Sequence, residues 1–287
     1  MTPVETKAPN PQPRAETTKP WALDDLPPFP LVATRLLEVL SQDNAHITGV
    51  GRIIAAEPVF ASRVLQMANS PLFALQTQVK TISHAIVLLG LDRVKAITVT
   101  RALGDFVGPV LNLKALRACW QNSLACALLS EKLARACKID TDFAYVAGLL
   151  RDIGRLALLV KYPDSYVNLL AVSGEQGFDL IETERELFDI DHCQAGAWLM
   201  ARMPFPPELC EVVAKHHEAP SGPFRMVHLV RIAGMLADAL GFSVLPAASQ
   251  PTFGEVIQEL PEAAAYRFTP DPDELRADIS GRIQSWG

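Results

Sequence analysis

Residues Ala147–Leu156 read AGLLRDIGRL. Two adjacent charges, Arg151 and Asp152, interrupt an apolar run, and Gly154 follows them. The flanking residues, from Asp142 to Val160, keep helical spacing, so the segment is expected inside a helical body. Charge in such a run is costly unless it is paired or used. Asp152 is therefore either a metal ligand or half of an ion pair with Arg151.

The pattern on either side is helical almost without pause. Upstream, Val32, Leu36, Val39 and Leu40 form one face, with Arg35 and Glu38 opposite. Thr48 is a candidate cap for a helix carrying Val50, Ile53 and Ile54, and Pro58 suits the first turn of the next. That helix should stop at Asn69-Ser70-Pro71, Asn being tolerant of the left-handed conformation. Ser83 and Asp92 are expected caps around Gly90, and Val and Thr weaken the helix assignment of RVKAITVTRAL. Downstream, LKALRACWQNSLACALLSEKLARAC, YPDSYVNLLAVSG, LFDIDHCQAGAWLMARM, PELCEVVAKHHEA and FRMVHLVRIAGMLADALG continue the period. Ser243–Thr252 reads as a loop. In the tail, Leu275, Ile279 and Ile283 fall on one stripe. No strand alternation or internal repeat appears. The expected fold class is all-α, with two helical subdomains meeting near Gly104–Pro109.

Composition bounds the function. The 287 residues are 49% hydrophobic, enough for a sizeable core. The net charge is −6, and most of it lies in the tail from Pro251 to Gly287, with seven acids against three arginines. This argues against a broad nucleic-acid surface. Residues 1–20 are rich in Pro, Thr, Glu and Lys and read as a disordered arm, followed by the extended LPPFP at Leu26–Pro30. No leader peptide and no membrane span are predicted. Cys119, Cys126, Cys137, Cys193 and Cys210 show no paired spacing, so free thiols in a reducing cytoplasm are expected.

Several stretches carry a resemblance. LPPFPLVATRLLEVLSQDNA, IIAAEPVFASRVLQMANSPLFAL and VKTISHAIVLLGLDRVKAITV resemble the first half of an HDOD domain. FAYVAGLLRDIGRLALL, DIDHCQAGAWLMARMPFPPELCEVVAKHHEAP and VHLVRIAGMLADALG resemble its second half. The resemblance implies an HDOD-type helical fold over residues 21–241. Residues 21–107 would form an N-terminal subdomain and 108–241 an HD-like one, with 242–287 a loop and acidic helical tail. HDOD domains are similar to HD and HD-GYP metal phosphohydrolases that have lost catalytic ligands. The family is bacterial and its members are treated as signalling modules.

An HD site needs histidines and carboxylates converging on one or two divalent metals. By the resemblance, Asn122 stands where the first His belongs, Arg151-Asp152 where the central His-Asp pair belongs, and Gly234 where the last Asp belongs. Arginine has no lone pair to donate and repels a cation. Asp152, His192, His216 and His217 remain. His192 can also be a helix-start histidine near Asp189 and Asp191. His216 and His217 can be a cationic pair suited to a helix C-terminus, and neighbours on a helix point about 100° apart. The expected site is a degenerate HD pocket of Asn122, Arg151, Asp152, His192, His216, His217 and Gly234, with no metal, no cofactor and no catalysis. Arg151 and Asp152 are expected to pair, charge replacing metal. Trp120 and Trp198 read as core.

The implied role is non-catalytic bacterial regulation through a protein partner, with a homodimer as one option, in cyclic di-GMP, motility or stress pathways. No receiver or cyclase motif accompanies it, so action by contact is expected. One alternative is a metal-dependent phosphohydrolase with altered ligands. Another is a nucleic-acid-binding regulator through the helical pair around Gly90, with Lys80, Arg93, Lys95 and Arg101 nearby.

Overall fold

The computed structural model describes residues 21–24, 35, 47–70, 73, 75–202, 205–219, 221–245 and 251–285. Their regular structure is entirely helical, with no strand among them. The expected arm at residues 1–20, the Leu26–Pro30 segment and the face of Val32, Leu36, Val39 and Leu40 lie outside the described residues.

Helix α1 (Ile47–Ala55) buries Val50 and Ile54. It already includes Thr48, which is therefore not its cap. Helix α2 (Pro58–Ala68) begins on Pro58, where a missing N–H costs nothing. It ends at Asn69, but φ there is −87°, not left-handed. The Asn69 amide instead donates to Leu65 O and Val79 O and accepts from Val79 N, so side-chain hydrogen bonds close the helix. Helix α3 (Ile82–Leu89) is capped by the Thr81 hydroxyl, which accepts from His84 N, and Ser83 lies inside it. Gly90 separates it from α4 (Leu91–Val107) at φ 88°, a conformation open to glycine. Asp92 does not cap α4; it pairs with Lys95.

Helix α4 is rich in β-branched residues and still runs 17 residues, because packing outweighs propensity. Val94, Ile97 and Ala102 join a small core with α1–α3. Ala96, Val99, Leu103 and Phe106 join the main core. The Thr98 and Thr100 hydroxyls donate to Val94 O and Ala96 O, one turn back, so neither is buried unpaired. The expected division near Gly104–Pro109 coincides with the end of α4 and a 3-10 turn at Gly108–Val110. The two cores, however, divide along α4 itself.

The main core is built on α5 (Lys114–Cys137), α6 (Thr141–Leu150), α7 (Ile153–Lys161) and α8 (Pro163–Gln176). Around them pack α9 (Leu180–Phe188), α10 (His192–Met200), α11 (Pro207–Lys215) and α12 (Met226–Ala237). A π-helical turn, Asp238–Phe242, follows α12. The tail forms α13 (Phe253–Ile257), α14 (Glu262–Arg267) and α15 (Pro272–Gln284). Leu275, Ile279 and Ile283 are buried in the main core, as their stripe implied. All five cysteines are free thiols. Trp120 is buried, whereas Trp198 is half-exposed with the Arg202 guanidinium 3.1 Å from its ring centroid. No described helix is long and apolar enough to cross a membrane.

Candidate functional site

The charges of the RDIGR segment lie at the junction of α6 and α7. Asp152 occupies the position before the first turn of α7, where an Asp normally caps the helix. Its side chain makes no capping bond and turns inward, leaving the residue 1% exposed. Arg151 Nε lies 2.9 Å from Asp152 Oδ2, and Arg155 Nη1 lies 3.5 Å from the same oxygen. Burial alone would raise the Asp152 carboxyl; the two guanidiniums override it and hold the group well below the ordinary carboxylate range.

Arg151 reaches further. Its Nη2 donates to Asn122 Oδ1 at 2.7 Å, and the Asn122 amide donates to Asp238 Oδ1 and Phe242 O. Its Nη1 rests against Gly234 on α12: a Cβ at that position would fall 1.8 Å from the nitrogen. The three positions that depart from the HD pattern thus form one contact set. Arginine supplies the cation, asparagine accepts its hydrogen bond, and glycine leaves it room. Gly234→Ala is expected to cost about 3 kcal/mol in urea denaturation, the upper end of ordinary substitutions, because the guanidinium must leave Asn122. In an Arg151→Met background the same change should cost markedly less. Equal costs in both backgrounds would show that the arginine does not need the glycine.

The histidines close the other side. His192, the first residue of α10, is fully buried. Its Nδ1 donates to Glu184 Oε2 at 2.6 Å, and its backbone N–H donates to the same oxygen. The Tyr166 hydroxyl donates to the other oxygen of Glu184. Asp189 and Asp191 are not its partners: Asp191 caps α10 and pairs with Arg185. The small Gly154 makes this packing fit, since a Cβ there would meet His192 O at 2.0 Å and Gly196 N at 2.4 Å. His216 and His217 stand just past the last residue of α11, so the 100° separation of helical neighbours does not keep them apart. Their ring centroids are 4.4 Å apart. His217 Nε2 is 3.1 Å from His192 Nε2, and His216 Nε2 is 3.3 Å from Asp152 Oδ1. They are not the cationic pair a helix C-terminus would favour. Burial depresses the pKa of both, and for His217 the neighbouring His216 and His192 add to the effect.

A chain of contacts therefore links the seven sequence-derived positions. Four further members were missed. Arg155 sat in the quoted stretch, and its spacing from Asp152 placed it on the same helix face. Glu184 and Tyr166 carried no signal, because their partners are distant in sequence. Asp238 lies one turn beyond Gly234, and burial raises its pKa against the pull of Arg151.

A two-metal HD centre does not fit these residues. The half of the pocket lined by Asn122 and Gly234 holds the Arg151 guanidinium, which repels a cation and donates no lone pair. In the half lined by the histidines, Arg155 Nη2 lies 3.2 Å from His192 Nε2, while His216 Nε2 has no hydrogen-bond partner.

The HDOD domain model matches residues 26–219. The chain belongs to the HDOD domain family. Among solved structures, this HDOD chain is similar to a Shewanella amazonensis SB2B protein named as a candidate phosphohydrolase. The TM-score is 0.67 at 22% identity, covering 92% of this chain and 93% of that one. It is equally similar to an HDOD domain protein of unknown function from Geobacter sulfurreducens, with TM-score 0.67, 22% identity, and 92% and 91% coverage. An uncharacterized protein of Treponema pallidum (strain Nichols) is 20% identical over 203 residues, 70% of this chain. The chain spans 39% of that relative's length. At these identities the structural likeness shows the fold, and function rests on the pocket.

Proposed function

We propose that this HDOD chain is a non-catalytic regulatory module that acts by contact with a protein partner in a bacterial signalling pathway. The observation that carries the proposal is the Arg151 guanidinium, seated between Asp152, Asn122 and Gly234 in the half of the pocket where an HD enzyme needs a metal. Metal-assisted phosphoester hydrolysis needs a bound cation to activate water and take up developing charge. Here that half already holds a fixed cation, ion-paired to Asp152 and hydrogen-bonded to Asn122. The coarser statement stands on the family: an HDOD domain whose structural relatives carry both phosphohydrolase and signal-transduction names.

One observation favours an enzyme instead. Asp152, His192, His216 and His217 still converge. The two readings separate in one assay. Protein incubated with Mn²⁺, Fe²⁺ or Zn²⁺ is offered an activated phosphodiester and a cyclic dinucleotide. We expect no turnover above that of His192→Ala. Metal-dependent turnover lost in His192→Ala would overturn the proposal.

The nucleic-acid reading finds less support. Arg93 pairs with Glu131 and Asp142, Lys95 with Asp92, and Arg101 with Asp105. Much of α4 is buried between the two cores. These cations are engaged inside the protein, whereas a groove-binding helix presents them to phosphates.

A further inference from the structure

The histidine half of the pocket has an arrangement that its role beside Arg151 leaves unexplained. The tautomers of two rings follow from their partners. His192 Nδ1 faces the Glu184 carboxylate, and His216 Nδ1 faces two backbone carbonyls, Val212 O and Val213 O. Those atoms accept only, so both Nδ1 carry the protons and both Nε2 carry lone pairs. Both Nε2 point into the pocket. His216 is 2% exposed, its Nε2 has no hydrogen-bond partner, and the nearest Asp152 oxygen, 3.3 Å away, is also an acceptor. Arg155 Nη2 lies 3.2 Å from the His192 lone pair, and Arg151 and Arg155 balance Asp152, so the His216 lone pair is the one left facing an acceptor with no donor. His217 Nε2 lies 3.1 Å from His192 Nε2, close to the roughly 3.3 Å edge of a tetrahedron built on zinc–nitrogen bonds.

A fourth donor stands beside them. One atom each from His192, Cys193, His216 and His217, the Cys193 sulfur included, lies within 4.8 Å of all the others. Cys193 is not one of the positions that the HD pattern assigns to metal. The second shell is also in place. A carboxylate holding a histidine by its other nitrogen, as Glu184 holds His192, is the usual support of a metal-bound imidazole. The approach suits a cation as well. A cavity of about 450 Å³ is lined by His217 and Cys193 and by Asp179, Glu182 and Glu218, with Arg185 on its wall paired to Asp191.

We propose that this pocket binds a single zinc-class ion through His192 Nε2, His216 Nε2, His217 Nε2 and Cys193 Sγ. The proposal rests on the reading above that Arg151 fills the other half, which limits the site to one ion. On binding, the Cys193 thiol loses its proton to solvent, and the sulfur lone pair forms the fourth bond. The contact of 3.2 Å between Arg155 Nη2 and His192 Nε2 gives way, and Arg155 keeps Asp152. Four protein donors leave no position for water, which is the pattern of a structural zinc rather than a catalytic one.

The test uses the full chain, stripped with a chelator and titrated with Co²⁺. One ion per chain is expected, with tetrahedral d–d absorption and a thiolate-to-cobalt band in the near ultraviolet. Cys193→Ser should abolish the thiolate band and keep the d–d absorption. His217→Ala should weaken binding at least tenfold, with an unchanged melting temperature of the metal-free variant showing that the chain still folds. Added Zn²⁺ should displace the cobalt and raise the melting temperature. Absence of a d–d band sensitive to His217→Ala would overturn the site, as would a thiolate band that survives Cys193→Ser. Either result leaves the role of Arg151 untouched. Two ions per chain would instead overturn the reading of Arg151 as the occupant of the other half.

Discussion

Gly154→Ala is expected to lower stability by about 4 kcal/mol or more, beyond the range of ordinary point substitutions. The added carbon meets His192 O at 2.0 Å and Gly196 N at 2.4 Å. Both are backbone atoms of α10, so no side chain can rotate away, and α7 and α10 must separate. The melting temperature should fall on the order of 10 °C for a chain of this size. Gly51→Ala in α1 is the control. A Cβ at Gly51 meets nothing within 4 Å, so the change should be neutral or should stabilise by up to about 1 kcal/mol. Equal melting temperatures for the two variants would show that the contact between α7 and α10 is not tight. The substitution also reports on the site. His192 O belongs to the residue whose ring lies between Glu184 and His217, so the loss of packing should disturb the pocket before the rest of the main core.

The contrast with Gly234 separates two uses of glycine. At Gly154 the neighbour is backbone, and the residue lets two helices touch. At Gly234 the neighbour is the end of a long side chain, and the residue makes room for a charge. Sequence alone distinguishes neither. Both read as a glycine in an apolar helical run, and the partner in each case is far away along the chain. The helices themselves were legible, because apolar spacing and the Pro and Gly boundaries are local signals. Caps were less so. Thr81 and Ser83 offer the same hydroxyl two residues apart, and only the observed bond from His84 N to Thr81 chooses between them. In the pocket, the family pattern brought Asn122, Arg151, Asp152, His192, His216, His217 and Gly234 to attention as separate positions. It did not show that Asn122 and Gly234 both serve Arg151, or that Glu184 sets the tautomer of His192. Those relations depend on which side chains meet across five helices, and hydrophobic periodicity carries no trace of them.

Asp152→Asn tests the charge balance. In the folded protein Asp152 is the one carboxylate within 4 Å of both Arg151 and Arg155 among the described residues. The amide keeps the shape and removes the charge, leaving two buried guanidiniums beside each other. Breaking a buried pair from one side costs about 3–5 kcal/mol, because the remaining charge is desolvated and uncompensated. A cost of that size is expected for Asp152→Asn in chelator-treated protein, measured by urea denaturation. Arg151→Met should cost less, since Asp152 keeps Arg155 and the thioether chain fills part of the space over Gly234. In the double variant Asp152→Asn/Arg151→Met only Arg155 is left uncompensated. Its destabilisation should fall short of the two single effects combined by about 1–3 kcal/mol, the coupling expected of residues in contact. That shortfall is the energetic signature of an internal cation held by its own carboxylate. Strict additivity would mean that Arg151 and Asp152 are neighbours without being partners, and the arginine could not then be the group that replaces a metal. Chelator treatment matters because a metal on the histidine half would add its own charge beside Asp152. The cycle repeated with saturating Zn²⁺ should make Asp152→Asn costlier still, with a third cation facing the same lost carboxylate.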